Sequence, residues 1–193
     1  AVGAAVVAGW PGATQQAVGA GGAAAVQAAA QAAVTGMGQA GAELATLVKT
    51  QILAKGAKYV VVLNLPDVSQ TPMAAAQSAD TRALILQMVT AFNTQLANGL
   101  SGSGVVLVDA FTQGRNQVAN PGQYLLANVT TPACSTTSAA NPLQGNSLTC
   151  TVNSTIAGDT SRFLYADSVH PTPYGNELLG NFVTGHLTQV GWL

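Results

Sequence analysis

Two runs of consecutive apolar residues, in "KYVVVLNLPD" and "GVVLVDAF", constrain this chain most. Tyr59 to Leu63 are five apolar residues in a row, and Val105 to Val108 lead directly into Asp109. An unbroken apolar run of this length reads as a strand buried on both faces, the mark of a parallel sheet covered by helices. Between the runs, "TRALILQMVTAFNTQLANGL" sets Leu84, Met88, Val89, Phe92 and Leu96 on one helical face. Upstream, residues 14–55 are rich in Ala and Gln, and Met37, Leu44, Leu47, Val48 and Ile52 recur at helical spacing with Ala40 in step. Gly36, Gly38 and Gly41 weaken the middle of that helix, so a break is expected there, with Gly56 as the stop.

Helix, strand, helix, strand implies a βαβ unit with a right-handed crossover. Residues 112–160 read as a long polar excursion. Pro173 to Val190 reads as a closing helix with Leu178, Leu179, Phe182, Val183 and Leu187 as its apolar stripe. The expected architecture is one three-layer α/β domain, a parallel sheet flanked by helices, within the size of a single domain. Two strong strands are few for such a sheet. Further strands are therefore expected ahead of this chain.

Composition excludes several partners. Only 7% of the residues are charged, against about 25% in an ordinary soluble protein. Six basic and seven acidic side chains provide neither a polycation for nucleic acid nor a basic face for anionic lipid. Gly, Pro, Gln and Thr interrupt every apolar run before the roughly 18 to 20 residues of a membrane span, so no transmembrane segment is expected. The opening "AVGAAVVAGW" has no charged leader region and no initiator Met. It is read as the interior of a longer precursor rather than a signal peptide.

Cys134 and Cys150 are the only cysteines, and they bracket a polar loop containing Pro, Gly and Asn. A disulfide is the economical reading; it would stabilise the fold by roughly 3 kcal/mol in the chain-entropy model and places the chain in an oxidising compartment. Two unpaired thiols are the alternative, since spacing does not prove pairing. No group of residues has metal-ligand spacing, no glycine loop suits a phosphate, and no cofactor is implied. The sequons at Asn128 and Asn153 are of a kind that arises by chance in Thr-rich loops, and no glycan is assumed.

Ligands of open α/β sheets gather where strands lead into helices. Asn64 and Asp67 follow the first strand, Asp109 ends the second, and Asp167 and His170 precede the last helix, so the five are expected to converge on one edge. Asp-x-x-His in a tight turn lets the carboxylate accept a hydrogen bond from one imidazole nitrogen. The tautomer is thereby fixed, and the other nitrogen can take a proton from a nucleophile. The same pair also occurs as a loop-stabilising hydrogen bond. Asp80, Asp109, Asp159 and Glu177 have no histidine so close in sequence, and His186, beside Phe182 and Val183, reads as structural.

The flanks of the pair decide its reading. "ADSVHPTPYGNELLG" resembles the last conserved block of the SGNH hydrolases, the GDSL-type lipases and esterases, and "YVVVLNLPDVSQTP" resembles a strand and loop of their secreted bacterial members. The resemblance runs from about Gln31 to the C-terminus. It implies an SGNH-like, flavodoxin-like fold and a secreted carboxylic ester hydrolase acting on a small ester or lipid. In it Asp167 orients His170, and His170 is the general base for a serine.

The family's Gly-Asp-Ser nucleophile block, oxyanion-hole glycine and Gly-x-Asn-Asp do not stand in their expected places. They belong to an N-terminal part that is a separate cleaved chain of the same precursor, lies outside this sequence, or has been lost; in each case residues 1–193 are expected to be inactive alone. "GNSL", with Ser147, differs from Gly-Asp-Ser-Leu at one position, but it lies late in the chain, inside the cysteine loop and without a buried strand before it. Ser147 is therefore not taken as the nucleophile. "LSGSG" reads as a turn. The competing class is a noncatalytic extracellular structural or adhesive subunit that keeps the fold, suited to close packing by its low charge.

Overall fold

The computed structural model describes residues 22–193. The opening "AVGAAVVAGW" and the first part of the Ala/Gln-rich region lie outside the described residues. Helix α1 spans Ala23–Leu47, as its alanine content favours. The expected break at its glycines does not occur: the helix runs through all three, and Gly41 marks close packing instead. α1 lies against α3 (Ala79–Leu100), and a methyl group at Gly41 would overlap the carbonyl oxygen of Phe92. The helix changes character only at its end, in a π turn over Val48–Ile52 and a 3-10 turn over Leu53–Lys55 before Gly56.

Strand β1 (Val61–Leu63) pairs in parallel with β2 (Val106–Val108), Val61 opposite Val106 and Leu63 opposite Val108. A short helix α2 (Pro72–Ala75) and the long α3 make the crossover, as the βαβ reading requires. Both start on hydroxyl caps: Thr71 Oγ1 accepts the N–H of Ala74 at 3.3 Å, and Ser78 Oγ accepts that of Thr81 at 3.2 Å. The strands are shorter than the apolar runs, and β1 is half-buried rather than closed on both faces; Tyr59 is 75% exposed. The cause is the sheet itself, which has two strands among the described residues and leaves one edge of β1 unpaired.

Alternation along the strands sorts the core. Val60, Val62, Val105 and Leu107 pack with Ala45, Val48, Leu96 and Leu100 of the α1 and α3 side. Leu63 points the other way and shares a cavity with Leu179 of α5 (Pro173–Gln189), while Val61 meets Leu187 and Trp192. The closing helix turns its expected stripe inward, Leu178, Leu179, Phe182, Val183 and Leu187 all being half-buried.

The polar excursion contains one helix that periodicity did not announce, α4 (Ala110–Ala119). It carries no wide apolar stripe; Ala110 and Gln117 are its buried residues, and the Asp109 carboxylate caps it by accepting the N–H of Thr112 at 3.1 Å. Residues 120–172 are otherwise turns, two short 3-10 segments and isolated bridges. They are closed by a Cys134–Cys150 disulfide with Cα atoms 5.9 Å apart. "LSGSG" is a turn closed by the Ser103 N–H on the Leu100 carbonyl at 3.1 Å. Among the described residues no helix is long and apolar enough to cross a membrane.

The α1–α3 contact can be tested at its tightest point. Gly41→Ala must push two backbones apart and should destabilise by about 1–3 kcal/mol, as overpacking does. Gly36→Ala faces open space and should be neutral or stabilise by up to about 1 kcal/mol. Urea unfolding of the two variants checks this, and equal stabilities would contradict the packing account.

Candidate active site

The turn that carries the Asp-x-x-His pair is built by backbone pairing on both sides. The Ala166 N–H donates to the His170 carbonyl at 2.8 Å and the Thr172 N–H to the Leu164 carbonyl at 2.9 Å, so residues 165–171 form a closed loop. Its incoming arm is held by the N–H groups of Ala133 and Cys134, which donate to the carbonyls of Tyr165 and Ala166 at 2.9 and 2.8 Å. Its outgoing arm enters α5 through the N-cap Thr172, whose Oγ1 donates to the Phe163 carbonyl at 2.6 Å and accepts the Gly175 N–H at 3.0 Å. Pro173 at the first helical position fixes the entry angle. The Met73 N–H, on the Ser168 carbonyl at 2.9 Å, ties the tip to α2.

Inside the turn, the Asp167 carboxylate is almost fully occupied. Oδ1 accepts the N–H groups of Val169 and His170 at 2.9 and 2.7 Å, and Oδ2 accepts that of Ser147 at 2.9 Å. His170 Nδ1 sits 3.0 Å from Oδ1 and 2.9 Å from Oδ2. Burial alone would raise the Asp167 carboxyl, but the donors from His170, Ser147 and Val169 outweigh it and hold the group well below the usual carboxylate range. An ionised carboxylate only accepts, so Nδ1 carries the proton of the neutral imidazole and Nε2 presents a lone pair. The side chain of His170 is 64% exposed against 9% for Asp167, so the pair is an anchored anion bearing an accessible base.

The other expected members are brought near only in part. Asn64 and Asp67 line an apolar cavity of about 320 Å³ together with Val169 and Pro171, the neighbours of His170. Asp67 is engaged elsewhere: its Oδ2 meets Arg115 at 2.6 Å, and its Oδ1 accepts from the Ser69 N–H at 3.0 Å and the Ser69 hydroxyl at 2.5 Å. Asn64 donates to Asp109 at 2.8 Å and accepts the Phe111 N–H at 3.0 Å, so Asn64 and Asp109 brace the start of α4. Beside them, burial and the charge of Asp67 push the Tyr165 hydroxyl up to about 12. His186 is structural, its Nδ1 3.0 Å from the Phe182 carbonyl and its ring edge-on to Phe182.

Sequence reasoning missed two participants. Arg115 could have been suspected only from its lone positive charge in a polar stretch. Ser147 had a signal, the "GNSL" string, and it donates its backbone N–H to Asp167, with its hydroxyl also acting on that carboxylate. Among the described residues the side-chain hydrogen bonds of His170 go to Asp167 alone. Among the described residues no group of three or more His, Cys, Asp or Glu could hold a metal ion.

Residues 21–183 match the GDSL-like lipase/acylhydrolase family. The chain belongs to that family. It is also 32% identical over 143 residues to proteins named esterase EstA from Pseudomonas aeruginosa and from Pseudomonas putida, 70% of this chain in each case. The match spans about a fifth, 20%, of the length of those relatives. Family membership and the location of the Asp-x-x-His turn, at the entry to the closing helix, were both legible in the motif.

The electrostatics of the turn predict a pH dependence. The folded Asp167 carboxyl lies below its ordinary value of 3.8, so the unfolded chain binds its proton more readily. Its stabilising contribution is complete above that ordinary value and is lost as pH falls through the lower folded value. Asp167→Asn should therefore be less stable than the wild type at neutral pH and approach it in strong acid. Urea unfolding at a series of pH values measures this, and a constant difference at every pH would contradict it.

Proposed function

We propose that this chain supplies the acid and base of a secreted serine ester hydrolase. The single observation that carries the reading is the fixed Asp167–His170 contact, with Nδ1 on the carboxylate and the rest of the imidazole exposed. It is supported by membership of the GDSL-like family and by similarity to two proteins named as esterases. In this mechanism His170 Nε2 accepts the proton of a serine hydroxyl as its oxygen attacks the ester carbonyl. The imidazolium, stabilised by Asp167, then returns that proton to the departing alkoxide. In the second half-reaction His170 takes a proton from water as its oxygen attacks the acyl-enzyme, and the imidazolium returns that proton to the departing serine oxygen, releasing the acid.

The nucleophilic serine and the oxyanion-hole glycine and asparagine are assigned to chain outside residues 1–193. Supporting this, the match covers only 20% of the relatives' length, and His170 has no hydroxyl partner among the described residues. The unpaired edge of β1 is where further strands of a three-layer sheet would add, since an open edge is a template for pairing. An oxidising, extracytoplasmic location is supported by the Cys134–Cys150 bond. The apolar cavity beside Val169 and Pro171 favours a substrate with an apolar acyl or alcohol group.

The test is His170→Ala in the complete protein with a simple aryl ester. Turnover should fall by about 10⁴-fold or more with the fold unchanged, and Asp167→Asn should also be harmful. Retention of half the activity by the His170 variant would remove this histidine from the mechanism. A well-folded complete protein with no ester turnover would favour the noncatalytic subunit.

A further inference from the structure

Asp167 receives its hydrogen bonds from two distant parts of the chain. Two of the three backbone donors come from its own turn, whereas Ser147 reaches Oδ2 from 20 residues away. Ser147 opens the 3-10 turn Ser147–Thr149, and Cys150 follows it directly. The other cysteine, Cys134, donates its N–H to the Ala166 carbonyl, the last peptide before Asp167. The disulfide therefore joins the strip that holds the backbone arriving at Asp167 to the strip that holds its outer oxygen.

The loop between the cysteines is ordered from inside. Asn141, 2% exposed, accepts the N–H of Leu143 at 3.2 Å and the Thr149 hydroxyl at 2.6 Å, and donates to the Asn146 carbonyl at 3.1 Å. The Asn146 side chain in turn caps the 3-10 turn by accepting the Leu148 N–H at 2.8 Å. A buried asparagine with its amide satisfied on both sides fixes the direction in which the next peptide points. Here that peptide N–H points at Asp167.

We propose that the Cys134–Cys150 loop is a positioning element of the site: it delivers the Ser147 N–H to the outer oxygen of Asp167 and thereby fixes the carboxylate that orients His170. The role of this carboxylate in ester hydrolysis rests on the function proposed above; its positioning by the loop does not. Ser147 is a positioning residue: its backbone N–H donates to Oδ2 at 2.9 Å and its hydroxyl also lowers the Asp167 carboxyl. Without its donor, Oδ2 is free to turn away from Nδ1, and the anion is less stabilised. The charged groups around Asp167 are few. His170, charged only when protonated, is the one basic side chain paired with it among the described residues, and the pair of Asp67 with Arg115 is separate.

Ser147→Pro removes the N–H and the hydroxyl together and sets a ring Cδ where the N–H met Oδ2, so the carboxylate must move; the reduced protein tests the loop without that displacement. The position is the first of a 3-10 turn, and Asn146 before it has φ −67° and ψ 134°, the extended conformation that a residue preceding proline prefers. Leu148→Ala, which trims a side chain 83% exposed and keeps every donor, is the control. The experiment follows the Asp167 carboxyl by carbon-13 NMR titration in the complete protein. Wild type, both variants, and wild type opened to two thiols by dithiothreitol, which supplies two electrons and two protons, are compared.

The midpoint of Asp167 should rise in Ser147→Pro and in the reduced protein and stay put in Leu148→Ala. Ester kcat should fall about tenfold in Ser147→Pro, with KM nearly constant, as expected for a lost orienting interaction. An unmoved midpoint in folded Ser147→Pro with its disulfide intact would overturn the proposal. Should that variant fail to fold, the reduced wild type and Cys134→Ser/Cys150→Ser carry the same test. The titration is independent of turnover, so a raised midpoint in a protein without ester activity would sink the function and leave the positioning role standing.

Discussion

A carboxylate that gives up most of its water persists as an anion only where other donors replace that water. Asp167 is such a group, and the local structure is arranged to supply it. The chain must turn within three residues so that two of its own N–H groups reach Oδ1, and a separate loop must bring a third to Oδ2. Once those donors are in place the remaining direction of the carboxylate belongs to His170 Nδ1, which settles the tautomer without any further group. Removing a donor from a buried acceptor costs more than the average hydrogen bond contributes, so the turn, the cysteine loop and the cap of α5 stand or fall together.

The core places this turn rather than merely supporting it. The Leu65 peptide, just past β1, is gripped twice by Asn93 of α3, its N–H and carbonyl each 2.8 Å from the amide side chain. That clamp fixes the loop from which Asp67 reaches Arg115 and from which α2 reaches Ser168. The close α1–α3 contact in turn locates α3 against the sheet. A chain with so few charged side chains holds its polar loops by amides and hydroxyls: Asn64 and Asn93 bond to backbone groups distant in sequence, and Asn128 and Asn141 close local turns. These bonds are short-ranged and directional, which suits loops that must keep a fixed shape.

The sequence made some of this plain and left some of it hidden, for physical reasons. Side-chain periodicity reports burial, so α3, α5 and the two parallel strands could be read from Leu84, Leu96, Leu179 and the valine runs. It is silent where burial is shared with a missing side chain: Gly41 of α1 looks like a helix breaker and is in fact where two helices touch. It is equally silent on α4, a helix started by the Asp109 carboxylate and carrying little apolar surface. Asp167 and His170 were legible because their chemistry is local, three residues apart in one turn. Ser147 was not, because only the folded loop aims its backbone N–H and hydroxyl at a carboxylate 20 residues away.

The central claim is that Asp167 and His170 form the base of a hydrolase whose nucleophile lies elsewhere in the complete protein. Fluorophosphonate labelling followed by peptide mass spectrometry tests it most directly, because the reagent marks the serine that a neighbouring base has activated. The account predicts one labelled serine outside residues 1–193, with labelling abolished by His170→Ala. A label on Ser147 or on any other serine of this chain, or equal labelling without His170, would contradict it.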